Sequence, residues 1–542
     1  MRRSRLTVAV SLYVGICTFG CARPDDTIGL NSSVLRPDKA VVIFFVDGMD
    51  RRRFEELLDD GLLPNIEQRF IRGGVGVEHA IVSMPAITYP NAVSLLTGLF
   101  PGHHGVLGNQ WFDHHTLQYQ AYLHAATYRS VNEDFTAPTL YDLLRDQLTI
   151  NVQCHTRRGV TCTIDNWAES GIDWFLGDYI NVDRRVGSRI RYVTKLANHL
   201  GRWPIVLMNY FPAVDQVGHH FGVNSPNYAR AMQNVDSQVG RIADAVNQIG
   251  MADRTYFALI TDHGHVQHGE GKTFDIADWL ELHGGLRIRQ RRTRSRSYLT
   301  RLRSMNRYDA VVINGAYRRV GIHLKGPQGW HDPVTQNELQ RILDAPTPLQ
   351  EHPGVALLCL KDGEHRVKIM SRDGDFIVER RGHSGRREYR IVLPQAGASS
   401  DPLRYRAHGV PASFTDQGWH GSRDWLAATA ATRYPDFVPQ VVEMFDSPRA
   451  GDLVVFASED WAFCDDEPSG HGSCLAEDMR VPMYFAGPSL PPGGRIDHAR
   501  LVDLMPTILG LLDEATRLQR AGPIDGINLA PQLKSAARPK SM

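Results

Sequence analysis

Five short runs of β-branched and aromatic residues constrain this chain most: AVVIFFVDG (40–48), PIVLMNYF (204–211), TYFALITDHG (255–264), DLVVFASED (452–460) and VPMYFAG (481–487). Each is apolar throughout and bounded by polar, Gly or Pro residues, as strands covered on both faces are. Helical patterns lie between them: RRRFEELLDDGL, APTLYDLLRDQL, NYARAMQNVDSQVGRIADAVNQIG and ARLVDLMPTILGLL. Strand–helix alternation predicts an α/β sandwich, a largely parallel central sheet flanked by helices. At 542 residues the chain exceeds one ordinary core, which predicts a large domain plus an insertion or second domain.

The middle reads differently. Residues 283–303 carry a basic run, and two Asp-Gly turns punctuate short alternating runs over 355–394, the pattern of an antiparallel meander. These features place an inserted α+β cap at 283–449, within an α/β core of 38–282 and 450–515, with a C-terminal tail at 516–542. The basic run reads as a solvated face. Formal net charge is zero, so no specific nucleic-acid binding is expected. Nothing in the sequence sets the oligomeric state.

The first residues, MRRSRLTVAVSLYVGICTFGCARPDD, have the arginines and short apolar stretch of an export signal, residues 1–21. Gly20-Cys21 resembles the end of a bacterial lipoprotein signal, which would make Cys21 a lipid anchor; Thr18-Phe19 fits that pattern poorly, and a plain cleaved signal fits equally. Either places the protein outside the cytoplasm, in a bacterial periplasm or on a membrane. An oxidising compartment predicts disulfides between Cys154 and Cys162 and between Cys464 and Cys474, with Cys359 free.

Acids and imidazoles gather where these strands end. Asp47 closes the first run, Asp262-His263 closes TYFALIT, and Asp215 with His219 four residues on follows PIVLMNYF. His471, in PSGHGS, follows DLVVFASED. Ligands of α/β sheets collect beyond the carboxyl ends of the strands. Mixed Asp/His sets suit zinc or similar ions, and six such donors suit two ions. Thr88, in SMPAITYPNAVSLLTG, is by itself an N-cap candidate.

The order VDG, then Thr before a helix with TG and HG following, then D-x-x-x-H, DHG and a late HGS resembles the alkaline phosphatase superfamily, and within it the type I phosphodiesterases and nucleotide pyrophosphatases. The resemblance implies one zinc on Asp47, Thr88, Asp262 and His263 and another on Asp215, His219 and His471. It implies Thr88 as the nucleophile, forming a phosphothreonine, and Asn109 as donor to a phosphoryl oxygen. The implied substrate is a small phosphoester or nucleotide, most simply a phosphodiester or pyrophosphate. Arg157 and Arg158 lie near where monoesterase relatives carry a Lys-x-Arg phosphate clamp, with Thr156 where the lysine would be. A phosphate monoesterase is therefore the alternative; phosphonate, sulfate and lipid-headgroup substrates also stay open. A metal-stabilised, non-catalytic exported binding protein is the alternative from another class. His220, His265 and His268 match no family ligand position and read as supporting or surface residues; Tyr89 and Trp111 read as packing.

Overall fold

The computed structural model describes residues 28–124, 126–165, 167–289, 298–383, 385–393, 401–464 and 467–538. The proposed signal, Cys21 and residues 290–297 of the basic run lie outside the described residues. Among these residues, no helix is long and apolar enough to cross a membrane.

The main sheet runs Arg480–Val481, Gly74–Ile81, Tyr484–Ala486, Thr255–Thr261, Ala40–Val46, Val206–Phe211, Thr149–Val152, Cys162–Ile164, with Gly494–Arg500 beside Gly74–Ile81. Its centre is parallel: Ala40–Val46 lies between Thr255–Thr261 and Val206–Phe211. All three strands are buried along their whole length, which is why they read as continuous apolar runs. Side chains alternate between two cores. Val41, Ile43 and Phe45 pack with Leu95 and Leu96 of the helix Thr88–Thr97. Val42, Phe44 and Val46 pack on the other face with Val235, Val239 and Ile242 of the helix Pro226–Gln248. That long helix starts on a Ser225 cap, whose hydroxyl accepts the Tyr228 N–H, with Pro226 in the first turn, the arrangement expected of a helix start.

The second sheet is almost wholly antiparallel: Ile288–Arg289, Ala310–Gly315, Arg319–Leu324, Leu453–Ala457, Val355–Lys361, Arg366–Met370, Phe376–Arg381, Glu388–Val392, His420–Gly421. The meander foreseen at 355–394 is its right half. Leu453–Ala457, which the sequence assigned to the core, is instead an interior strand of this sheet, paired antiparallel with Arg319–Leu324 and Val355–Lys361. An all-apolar pentapeptide reports burial on both faces but neither direction nor sheet. Tyr484–Ala486 does join the main sheet, antiparallel to Thr255–Thr261.

The disulfides do not form. Cys162 is paired in register with Ile150, whereas Cys154 lies past the end of that strand, after left-handed Gln153, with its N–H donating to Asn151 Oδ1 at 3.0 Å. Cys474 is buried in the same apolar core as Cys359, and no bridge joins it to Cys464.

Candidate active site

Strand register assembles the acids. Val46 is opposite both Thr261 and Phe211, so the chain leaves all three strands at one level. Asp47 and Asp262 then stand on neighbouring strands, about 4.8 Å apart along the hydrogen-bonding direction. The Gly48 N–H donates to Asp262 Oδ1 at 3.2 Å, and Met49 N–H to Thr261 Oγ1 at 3.1 Å. Buried Tyr228 holds the following turn, accepting from Asp50 N–H at 2.8 Å and donating to the Gly48 carbonyl at 2.9 Å. Gly48 has φ +63°, and a Cβ there would sit 2.6 Å from Asp215 Oδ1, so glycine serves both the turn and the approach of that carboxylate.

Asp215 lies in the first turn of the helix Ala213–Phe221, which begins two residues after its strand. The i,i+4 spacing puts His219 on the same face, with Nε2 3.4 Å from Asp215 Oδ1. His471 arrives from the far end of the chain. Ser469–Gly470 pairs with Val266–Gln267 and lays the His471 ring on His263, centroids 3.5 Å apart. Three imidazoles are anchored alike, each donating Nδ1–H to a backbone carbonyl: His219 to Ser469 at 3.1 Å, His263 to Gly264 at 2.8 Å, His471 to Ala86 at 2.8 Å. That fixes the tautomer and leaves each Nε2 as a lone-pair donor.

Two sets result, Asp47/Asp262/His263 and Asp215/His219/His471, each with ligand atoms within 4.8 Å of one another. Their acids are buried, yet Asp47 Oδ1, Asp215 Oδ1 and Asp262 Oδ2 have no hydrogen-bond partner. Orphaned buried carboxylate oxygens are costly. Burial and the neighbouring Asp215 push the Asp47 carboxyl up, and burial and Asp47 push Asp262 well up. Burial opposes ionisation of Asp215 too, but His219, His265 and His471 hold it well below the usual range. Burial lowers His263, but the acids around it, Asp262 foremost, lift it to about 10. Asp47 and Asp262 are forced toward neutrality, and an unpaired oxygen of each of the three acids faces the Nε2 atoms; such a donor set fits divalent cations.

Thr88 is the first residue of its helix; Ile87 holds the cap position and makes no side-chain bond. The hydroxyl is therefore not spent on capping, and Oγ1 lies 3.2 Å from His263 Nε2. Asn109 Oδ1 accepts the Tyr89 N–H at 3.1 Å, which leaves the Asn109 Nδ2 hydrogens for a ligand beside the helix N-terminus. Arg157 and Arg158 are turned to other duties. Arg157 pairs with Asp165, and Arg158 donates to the Phe135 carbonyl at 2.7 Å over the Phe135 ring. Their loop reaches the site through His155 instead, stacked on Tyr89 at 4.1 Å and 5.1 Å from the Tyr210 ring. Tyr89 and Trp111 belong to one buried aromatic cluster.

The sequence reading passed over two participants and took a third, His265, as a supporting or surface residue. Tyr210 donates its hydroxyl to Asp47 Oδ2; its signal was position, directly opposite Phe45 on the neighbouring strand. Tyr317 comes from the second sheet, in the hairpin between Ala310–Gly315 and Arg319–Leu324. Ala316 and Tyr317 both take the left-handed conformation, at φ 50° and 74°, a strain that collects at functional sites. The Tyr317 ring is 5.3 Å from His219; no local pattern could have announced it. His265 is wholly buried, with Nδ1 3.2 Å from Asp215 Oδ1.

An α/β sandwich with two Asp/His clusters beside a helix-initial threonine defines a class of candidate metal-binding hydrolase folds. The family described as type I phosphodiesterase / nucleotide pyrophosphatase matches residues 41–474, and the chain belongs to it. An uncharacterised pyrophosphatase/phosphodiesterase of Schizosaccharomyces pombe is 26% identical over 247 residues, 44% of this chain and 47% of that protein. Human bis(5'-adenosyl)-triphosphatase ENPP4 is 21% identical over 257 residues, 46% of this chain and 52% of that protein. The chain thus spans about half the length of these curated relatives. Murine ectonucleotide pyrophosphatase/phosphodiesterase 5, solved as an inactive threonine-to-alanine form in complex with AMP, shares the fold: TM-score 0.54, 15% identity, 88% of this chain and 95% of that one.

Proposed function

We propose that this protein is an exported phosphodiesterase or nucleotide pyrophosphatase that uses two divalent cations, zinc by preference, and Thr88 as nucleophile. The observation that carries the reading is the set of orphaned oxygens of Asp47, Asp215 and Asp262 facing the Nε2 atoms of His219, His263 and His471 beside the Thr88 hydroxyl, which bonds His263 Nε2. Asp47, Asp262, His263 and Thr88 would hold one ion; Asp215, His219 and His471 the other. When bound, the ions supply positive charge that favours an alkoxide and stabilises the attacking and leaving oxygens. Thr88, fixed at the start of its helix, attacks phosphorus in line. The helix N-terminus and the Asn109 amide receive the equatorial oxygens. The alcohol or nucleotide leaves, and water later resolves the phosphothreonine. Family membership and the AMP held by the murine relative support a nucleotide-bearing diester or pyrophosphate as substrate.

A monoesterase needs additional donors for its extra anionic oxygen, and the guanidinium groups of Arg157 and Arg158 are engaged elsewhere. The diesterase reading is the one favoured. Zinc-loaded protein lacking residues 1–21 is assayed on bis-p-nitrophenyl phosphate and p-nitrophenyl phosphate, with Thr88→Ala as control. Faster diester turnover, lost in the control, is expected. Faster monoester turnover overturns the substrate preference, and turnover that survives in Thr88→Ala overturns the nucleophile.

A further inference from the structure

We infer that His265 is a positioning residue for the cation site built on Asp215: it fixes the direction of that carboxylate and so sets how tightly the site holds its ion. The inference rests on the two-cation reading above.

His265 is 0% exposed. Its Nδ1 is 3.2 Å from Asp215 Oδ1, the same oxygen that lies 3.4 Å from His219 Nε2 and 3.7 Å from His471 Nε2. The other three imidazoles of the site are tied to backbone carbonyls through Nδ1. Neither ring nitrogen of His265 has a hydrogen-bond partner of good geometry. A buried imidazole is costly without a polar partner, and the Asp215 carboxylate is the acceptor within reach.

Packing holds the ring there. It rests on Gly218, where a Cβ would come within 2.9 Å of the imidazole. It meets His219 edge-on at 4.6 Å and lies 5.6 Å from His471. Gly218 thus admits the ring between Asp215 and His219 on their own helix. The other acids already have donors of their own: Tyr210 to Asp47 Oδ2, and the Gly48 N–H to Asp262 Oδ1. Asp215 Oδ2 accepts from the Gln216 amide at 3.4 Å, and His265, with Nδ1 protonated, faces the other oxygen, Oδ1. Partners of this kind orient ligating carboxylates, and their loss typically weakens a metal site about 10–100-fold.

The test measures zinc affinity by competition with a chromophoric chelator, together with the visible spectrum of the cobalt-loaded protein, for His265→Leu and His265→Asn. The leucine variant should bind one of two ions about 10–100-fold more weakly, shift one cobalt signal and keep the other. The asparagine variant, whose amide N–H can replace Nδ1–H, should recover most of the affinity. Unchanged affinity in His265→Leu overturns the inference, as does equal weakening in both variants. Gly218→Ala, which displaces the ring without touching a ligand, decides the matter if His265→Leu fails to fold: the same site should weaken, and an unaffected site overturns the inference. A parent protein that binds no ion is a different result, and it removes the two-cation reading itself.

Discussion

Around His103, three carboxylates meet three cationic side chains; around His263 and His219, three carboxylates meet imidazoles alone. In the first cluster Glu443 accepts from Arg380 at 3.0 Å and Arg387 at 2.6 Å, Asp446 accepts from Arg380 Nη2 at 2.9 Å, and His103 bonds Asp525 at 2.6 Å. The guanidinium forks fill the oxygen lone pairs. In the second, one oxygen of each of Asp47, Asp215 and Asp262 has no hydrogen-bond partner. His103, Glu443 and Asp446 could pass for a metal triad by distance alone. What separates the two is whether the fold already supplies the cation. The first cluster ties the helix Pro101–His104 to the second sheet and the helix Phe437–Met444; the second waits at the open ends of parallel strands.

The largest expected break removes the proposed nucleophile of the second cluster: Thr88→Ala should lower diester turnover at least about 10³-fold, read by steady-state kinetics. Next comes Glu443→Gln, which removes the buried carboxylate that Arg387 pairs with and leaves Arg380 on Asp446 alone. It should cost about 3–5 kcal/mol in denaturant unfolding and leave activity per folded molecule unchanged. Asp262→Asn should change stability far less in the same measurement, because burial and Asp47 already push that carboxyl toward its neutral form, while ion uptake falls.

The pH response sharpens the contrast. Burial lowers His103, but Asp446, Asp525 and Glu443 raise it to about 11. A histidine raised from 6.5 contributes stability that is full below pH 6.5 and lost as pH rises toward 11. Unfolding free energies of parent and His103→Gln should therefore converge between pH 7 and 10; a constant gap would remove the charged-histidine account. The smallest effect is expected from Arg157→Ala. Its pairing with Asp165 is worth about 1 kcal/mol or less, and diester kcat/KM should change less than about twofold, within what a partly exposed pair contributes.

Much of this was legible in the chain because local rules carried it. Parallel strands buried on both faces announce themselves as apolar runs, and their register then delivers Asp47 and Asp262 to one edge. A helix started two residues after a strand delivers Asp215 and His219. What was not legible depended on long-range placement. Leu453–Ala457 has the same composition in either sheet. Tyr317 reaches the site only because the second sheet aims a hairpin at it. The disulfides failed on register, which cysteine spacing does not report. Arg158 matched the arginine of a phosphate clamp, yet its guanidinium donates to the Phe135 carbonyl.

The most direct test is metal content. Protein saturated with zinc, freed of excess by gel filtration and analysed by mass spectrometry should hold two ions per chain. The Asp215→Asn/Asp262→Asn double variant should hold none tightly, because the His103 cluster already has its cations. A parent with no bound ion, or a double variant that still retains zinc, would contradict the account.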